Sequence, residues 1–401
     1  MPRSLTATAA TAATAATLLA AAMLTSCSAP AESTASPTPS IPAADGVDGG
    51  GAEEVAAPAS ALLVADERGA ITILDLDADD RESIDGDGDV LGEGRFAYRT
   101  HESDGEARVE IIDSGRWTVP HGDHSHSFLG AAGPVETVEG AGSPRVTIGD
   151  HATAVLFSDG LALVDHETVG DEEPARIPLA TTAEFVVPFA GHLLAATGST
   201  VDVLDATGSP TGAGSACVDP FDVDITRVGA VIACADGAVL VTREVGGMLV
   251  AEAIPYTEGA PAPSALRGRA DRPDLAGVAG DGGAWLLDSR ARTWTLLPTD
   301  APLVAAAALG DDDGRTVVVA DDGTIRVLGA DGSELARTAP LVSASLADPD
   351  ARARITLLVD AEHAYVSDPA SGTIHEIDHR DDAVVTRAFT GLDPWHVQLV
   401  G

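Results

Sequence analysis

Three of the eleven histidines in the 401-residue chain fall within six residues. They lie in the run Trp117-Thr118-Val119-Pro120-His121-Gly122-Asp123-His124-Ser125-His126-Ser127-Phe128. In an extended chain His124 and His126 project to the same side, and Gly122 lets the backbone bend enough to bring His121 towards them. Asp123 is placed to complete a coordination shell or to orient an imidazole. The chemistry such a group offers is capture of a divalent ion. Zn²⁺ takes neutral imidazole nitrogens at about 2.0 to 2.1 Å, usually four ligands in a tetrahedron. Copper(II) and nickel(II) accept the same ligands, whereas copper(I) would call for clustered Met or thiolate, which this segment lacks. The competing reading is a solvated polar loop with incidental histidines; the tight spacing favours the metal. Because imidazole binds metal only in its neutral form, affinity is expected to fall in acid.

The remaining histidines are dispersed. His363, His375 and His379 form a looser group, and His101, His151, His166, His192 and His396 are scattered. His101 and His151 flank the cluster-bearing interval and are the candidates for a remote fourth ligand. Asp85-Gly86-Asp87-Gly88-Asp89 resembles the start of a calcium loop, but its twelfth position, where a bidentate Glu belongs, is Phe96, which excludes an EF-hand. No Gly-x-Ser-x-Gly elbow, phosphate loop or His-Glu-x-x-His pattern occurs. The expectation is therefore a binding protein rather than an enzyme. Cys217 and Cys234 are expected to pair as a disulfide closing a short loop; a metal site on both thiolates is the alternative, disfavoured because no histidine lies between them.

These residues must be carried by strands. An apolar run, a Gly-containing turn, a second apolar run and an Asp appear first at Ala61–Asp66, Glu67-Arg68-Gly69 and Ile71–Asp75. The pattern returns at Asp104-Gly105, Asp159-Gly160, Gly198-Ser199, Asp236-Gly237, Gly282-Gly283, Asp322-Gly323 and Ser371-Gly372, about 43 residues apart on average. Asp-Gly between apolar runs is a hairpin signal, because both turn residues must take positive φ. A period of 40 to 50 residues with several strands per unit predicts an all-β fold, a β-propeller of seven or eight four-stranded blades over residues 58–401. A long sandwich array is the alternative. The C-terminal strand near Trp395–Val400 is expected to pair with strands from residues 58 to 77 and close the ring. Trp-Asp strand ends are missing, and aromatic residues make up only 3% of the chain, so no stacking platform for sugars or bases is visible.

The ends and the charge bound the setting. Residues 1–26 combine an early Arg, a short Ala/Thr/Leu stretch and small residues before Cys27. That pattern reads as a lipoprotein signal peptide, with cleavage before Cys27 and lipidation of its thiol. No segment approaches the roughly 18 apolar residues of a membrane span. Residues 27–57, rich in Ser, Ala, Pro and Gly, read as a flexible tether. With 23 Lys+Arg against 63 Asp+Glu, the net charge is −40, which makes nucleic acid an unsuitable partner.

Taken together, the export signal, the propeller repeats, the His121-Gly122-Asp123-His124-Ser125-His126 tract and the Cys217/Cys234 pair resemble an AztD-type zinc metallochaperone. The resemblance covers most of residues 58–401. It implies a propeller outside the cytoplasmic membrane that holds zinc and passes it to the solute-binding protein of a zinc ABC transporter. By that likeness His121, His124 and His126 are zinc ligands and Asp123 a ligand or orienting group. Two features depart from the family pattern: Val218-Asp219-Pro220-Phe221 follows Cys217 where a histidine is expected, and residues 28–57 hold no histidine. A scaffold for protein interaction at the envelope, without metal, is the second reading.

Overall fold

The computed structural model describes residues 49–121, 124–179, 182–257 and 261–401. The segment read as a signal peptide, the expected lipidation site Cys27 and most of the segment read as a tether lie outside the described residues, as does Asp123. Among the described residues, the strands form eight radial sheets and one satellite sheet. This is a β-propeller, as the hairpin period predicts.

Each blade is a meander of antiparallel strands running outward from a central channel. In the second blade, for example, Asp89–Glu93 is innermost, followed by Phe96–Ser103, Glu106–Asp113 and the outer strand Gly133–Ala141. The eight turns read from the sequence are the hairpins joining the second and third strands of the eight blades. Alternate residues of the middle strands enter the contacts between neighbouring blades, so these strands bury both faces and read as nearly continuous Val, Leu, Ile and Ala. Val231 and Ala233, for instance, pack in one cluster with Trp285 and Leu287, while Ile232 and Cys234 pack in another with Val187 and Leu194. No single blade could bury these faces alone, which is why the ring must close. It closes as expected: His396–Val400 pairs with Ala61–Ala65, with Leu63 opposite Gln398, and becomes the innermost strand of the first blade.

Two expectations need correction. Not every blade has four strands. The sixth has three, Asp274–Val278, Ala284–Asp288 and Thr293–Leu297. Its inner strand is reduced to single bridges from Arg267 to Ala276 and from Gly268 to Ala308. Pro261 and Pro263, just before this segment, carry no N–H for a ladder. The segment read as a tether, 27–57, also contains a strand, since Glu53–Val55 joins the satellite sheet.

The Cys217–Cys234 disulfide is present, with the two sulfurs bonded to each other and both side chains buried. That removes the thiolate metal site. Cys217 follows the outer strand of the fourth blade and Cys234 ends the second strand of the fifth, so the bond staples neighbouring blades. On chain-entropy grounds it contributes about 3 kcal/mol.

The channel holds a cavity of about 880 Å³. Glu93, Asp222 and Asp224 face it, and Arg267 Nη1 donates to Asp222 Oδ2 at 2.7 Å. Burial, reinforced by the neighbouring Glu93, holds the Asp224 carboxyl well above the usual carboxylate range.

Candidate metal centre

The third and fourth strands of the second blade are separated by an insertion, residues 114–132, which is the long interval seen in the sequence. It forms a hairpin, and the segment before the first blade adds a strand to it. We name these strands β1 (Glu53–Val55), β2 (Arg116–His121) and β3 (His124–Leu129), ordered β1-β3-β2.

The root of the hairpin is fixed to the ring. Gly115 takes φ 70°, and a Cβ there would lie 2.6 Å from the Gly130 carbonyl oxygen, so only glycine fits. Arg95 forms a two-point ion pair with Asp113 (Nε–Oδ1 3.0 Å, Nη2–Oδ2 2.5 Å). Its guanidinium lies 3.6 Å from the Trp117 ring centroid, a cation–π contact that holds the base of β2 against the blade. Trp117 in turn stacks on Phe128, centroids 5.3 Å apart.

Register then places the histidines. Trp117 pairs with Phe128, Val119 with His126, and His121 with His124. Paired residues point to the same face of an antiparallel ladder. One face therefore carries aromatics at its base and three imidazoles at its tip. Their centroids are 5.2 Å (His121–His124), 5.6 Å (His121–His126) and 4.8 Å (His124–His126) apart. One ligand nitrogen from each lies within 4.8 Å of those of the others. His126 is buried, His121 half-buried and His124 exposed, so the group opens to the outside on one side only.

The hydrogen-bond pattern sets the chemistry. His126 Nδ1 is 2.7 Å from Glu54 Oε1 of β1; a carboxylate accepts, so Nδ1 carries the proton and Nε2 presents its lone pair. That Nε2 faces His124 Nε2 at 3.0 Å. Two nitrogens sharing a tetrahedral zinc at 2.0 to 2.1 Å stand about 3.3 Å apart, close to this spacing. His121 Nδ1 is shut off from solvent and has no hydrogen-bond partner, a loss that a bound cation would relieve. The residues present thus fit a zinc ion with three imidazole ligands.

Of the residues singled out in the sequence, His121, His124 and His126 converge. His101 and His151 do not join them; His101 faces Asp87 at 3.8 Å instead. The looser group breaks up as well: His363 is about equally far from Asp360 (3.9 Å) and Glu376 (4.0 Å), and Glu376 is taken by Arg387. Burial lowers the proton affinity of His375 and His379. Sequence reasoning missed Glu54 and Arg95. Neither has a local signature, because each acts across a long loop in sequence.

No family model matches the chain, and no curated protein matches its sequence. Among solved structures, two of AztD from Citrobacter koseri, one of them the apo form, align with a TM-score of 0.70. They are 18% and 19% identical to this chain, and each alignment covers 86% of this chain and 98% of AztD. The chain has an AztD-type fold.

Proposed function

We propose that this protein is an extracytoplasmic zinc-binding lipoprotein that buffers zinc or delivers it to the solute-binding protein of a zinc ABC importer. The observation that carries the reading is the convergence of His121, His124 and His126 on one face, with a buried His121 nitrogen that has no partner. The AztD-type fold and the His121–His126 tract support zinc as the ion. Lipidation at Cys27 would hold the protein at the outer face of the cell membrane.

Delivery requires a site that binds firmly yet remains reachable. The group meets both needs. His126 is held from behind by Glu54, while His124 stands at the exposed tip of the hairpin, where an incoming protein could displace it first. The role is read as binding, because the converging side chains are of metal-ligand type.

The test is calorimetric titration with zinc of the parent and of a His121/His124/His126→Ala variant. The expected result is one zinc per parent chain and none for the variant. Equal affinity in both would remove the assignment. Transfer is then tested by mixing the loaded protein with the metal-free solute-binding protein and separating the two; zinc that stays put would reduce the role to buffering.

A further inference from the structure

We propose that the segment before the propeller is a clasp on the metal centre: docking of β1 on β3 sets Glu54 against His126, so that clasp docking and zinc binding strengthen each other. The inference rests on the zinc reading above and adds a part to it that the chain's own ends supply.

Three observations place the clasp. β1 pairs antiparallel with β3, Glu53 opposite Leu129, Glu54 opposite Phe128 and Val55 opposite Ser127. By that register Glu54 points to the same face as Phe128, His126 and His124, and it reaches His126 Nδ1 at 2.7 Å. Just before the strand, Gly49 lies on the Phe128 ring, where a Cβ would be 2.6 Å from two ring carbons. The Gly49 carbonyl closes a turn by accepting from Ala52 N at 2.9 Å. The clasp therefore sits on the same aromatic base that supports the histidines.

The physical consequence is a linkage. A carboxylate that accepts the second ring N–H of a metal-binding histidine fixes its tautomer and orientation and raises its basicity, and its loss typically costs 10- to 100-fold in metal affinity. Glu54 thus acts as a positioning residue for His126. Coupling between two binding events is reciprocal: if the docked clasp tightens zinc, zinc tightens the clasp by the same factor. The clasp is a three-residue strand at a sheet edge, a short pairing that opens readily. Its opening would leave His126 without its carboxylate and weaken the site without disturbing the ring. The same motion that frees the edge of β3 would then ease release of the ion.

The experiment uses the full chain and its Glu54→Ala and Glu54→Gln variants, with zinc affinity measured by competition against a chelating dye and amide exchange read by mass spectrometry. Glu54→Ala is expected to bind zinc 10- to 100-fold more weakly, with Glu54→Gln in between, since its amide oxygen still accepts from Nδ1. The thermal midpoint of the zinc-free protein should be the same in all three, which separates positioning from folding. Zinc should slow amide exchange in residues 53–55 of the parent tenfold or more and leave it unchanged in Glu54→Ala. If the parent binds zinc no better than the triple histidine variant, the metal centre itself is wrong and the clasp falls with it. If the parent binds and Glu54→Ala matches it in affinity, the clasp alone is overturned.

Discussion

Two of the places where polar side chains converge, the central channel and the satellite hairpin, are built on opposite principles. In the channel, Glu93, Asp222 and Asp224 gather around Arg267, whose guanidinium is paired with Asp222 at 2.7 Å. The group lines the channel cavity, and burial pushes the Glu93 and Asp224 carboxyls upward. An internal cation therefore answers part of the charge. On the hairpin the converging groups are imidazole nitrogens. One buried nitrogen, His121 Nδ1, has no partner, and two others face each other at 3.0 Å. The difference teaches that acidity is a poor guide to a metal site here. The chain carries 63 acidic residues, yet among the described residues the group that could hold a metal ion is the one made of imidazole.

If ring and hairpin are separable in this way, damage to the ring should lower stability and leave zinc affinity of the folded protein alone. The largest effect is expected from Trp285→Ala. Trp285 is 1% exposed, and its indole N–H donates to the Pro261 carbonyl at 2.9 Å. Its truncation should cost about 3 to 5 kcal/mol in urea denaturation. Next, replacing Cys217 and Cys234 together by Ala should cost about 3 kcal/mol, with the zinc isotherm of the folded protein superimposable on the parent's. A change in zinc affinity in either variant would break the separation.

A smaller effect is expected on acidification of the zinc-free protein. Burial, its main cause, pushes His166 down to about 4, and its Nε2 contacts Thr153 Oγ1 at 2.9 Å. The folded state thus keeps this ring neutral at pH values where the unfolded chain, with its ordinary value near 6.5, takes up a proton. The unfolded state binds more protons across that window, so stability is full above pH 6.5, falls as the pH drops, and levels off near pH 4. Between pH 7 and pH 4.5 the His166 share is about 2 kcal/mol, and His375, His379 and His396, also lowered by burial, add in the same direction. Urea midpoints at pH 7 and pH 4.5 should differ accordingly, and His166→Phe should shrink the difference. The smallest effect belongs to the channel. Asp224→Asn should change stability by less than about 1 kcal/mol, because burial already disfavours the charged carboxylate there, and it should leave zinc affinity untouched. A loss of zinc binding on that substitution would move the metal from the hairpin to the channel.

Much of this architecture was legible in the sequence because it repeats. The Gly-containing turns mark one hairpin in every blade, and the apolar run at the C-terminus matches the one at Ala61–Ala65 that it pairs with. The histidine tract was legible because all three imidazoles lie within one hairpin, where spacing translates directly into geometry. What escaped lies in pairings between distant segments. Glu53–Val55 sits in a Gly- and Ala-rich stretch with no alternation of its own, and it is a strand only because β3 offers an edge. The missing inner strand of the sixth blade could have been suspected from Pro261 and Pro263, but the bridges at Arg267 and Gly268 depend on neighbours in the ring. Arg95 was indistinguishable from the other arginines until the hairpin folded back over it and set Trp117 on its guanidinium.

The most direct test of the metal centre is X-ray absorption at the zinc edge of the full chain loaded with one equivalent of zinc. The expected spectrum has a first shell of nitrogen and oxygen only, at about 2.0 to 2.1 Å, with the outer-shell scattering of three imidazole rings. A sulfur shell near 2.3 Å, or an oxygen shell without imidazole scattering, would contradict it and place the ion somewhere other than His121, His124 and His126.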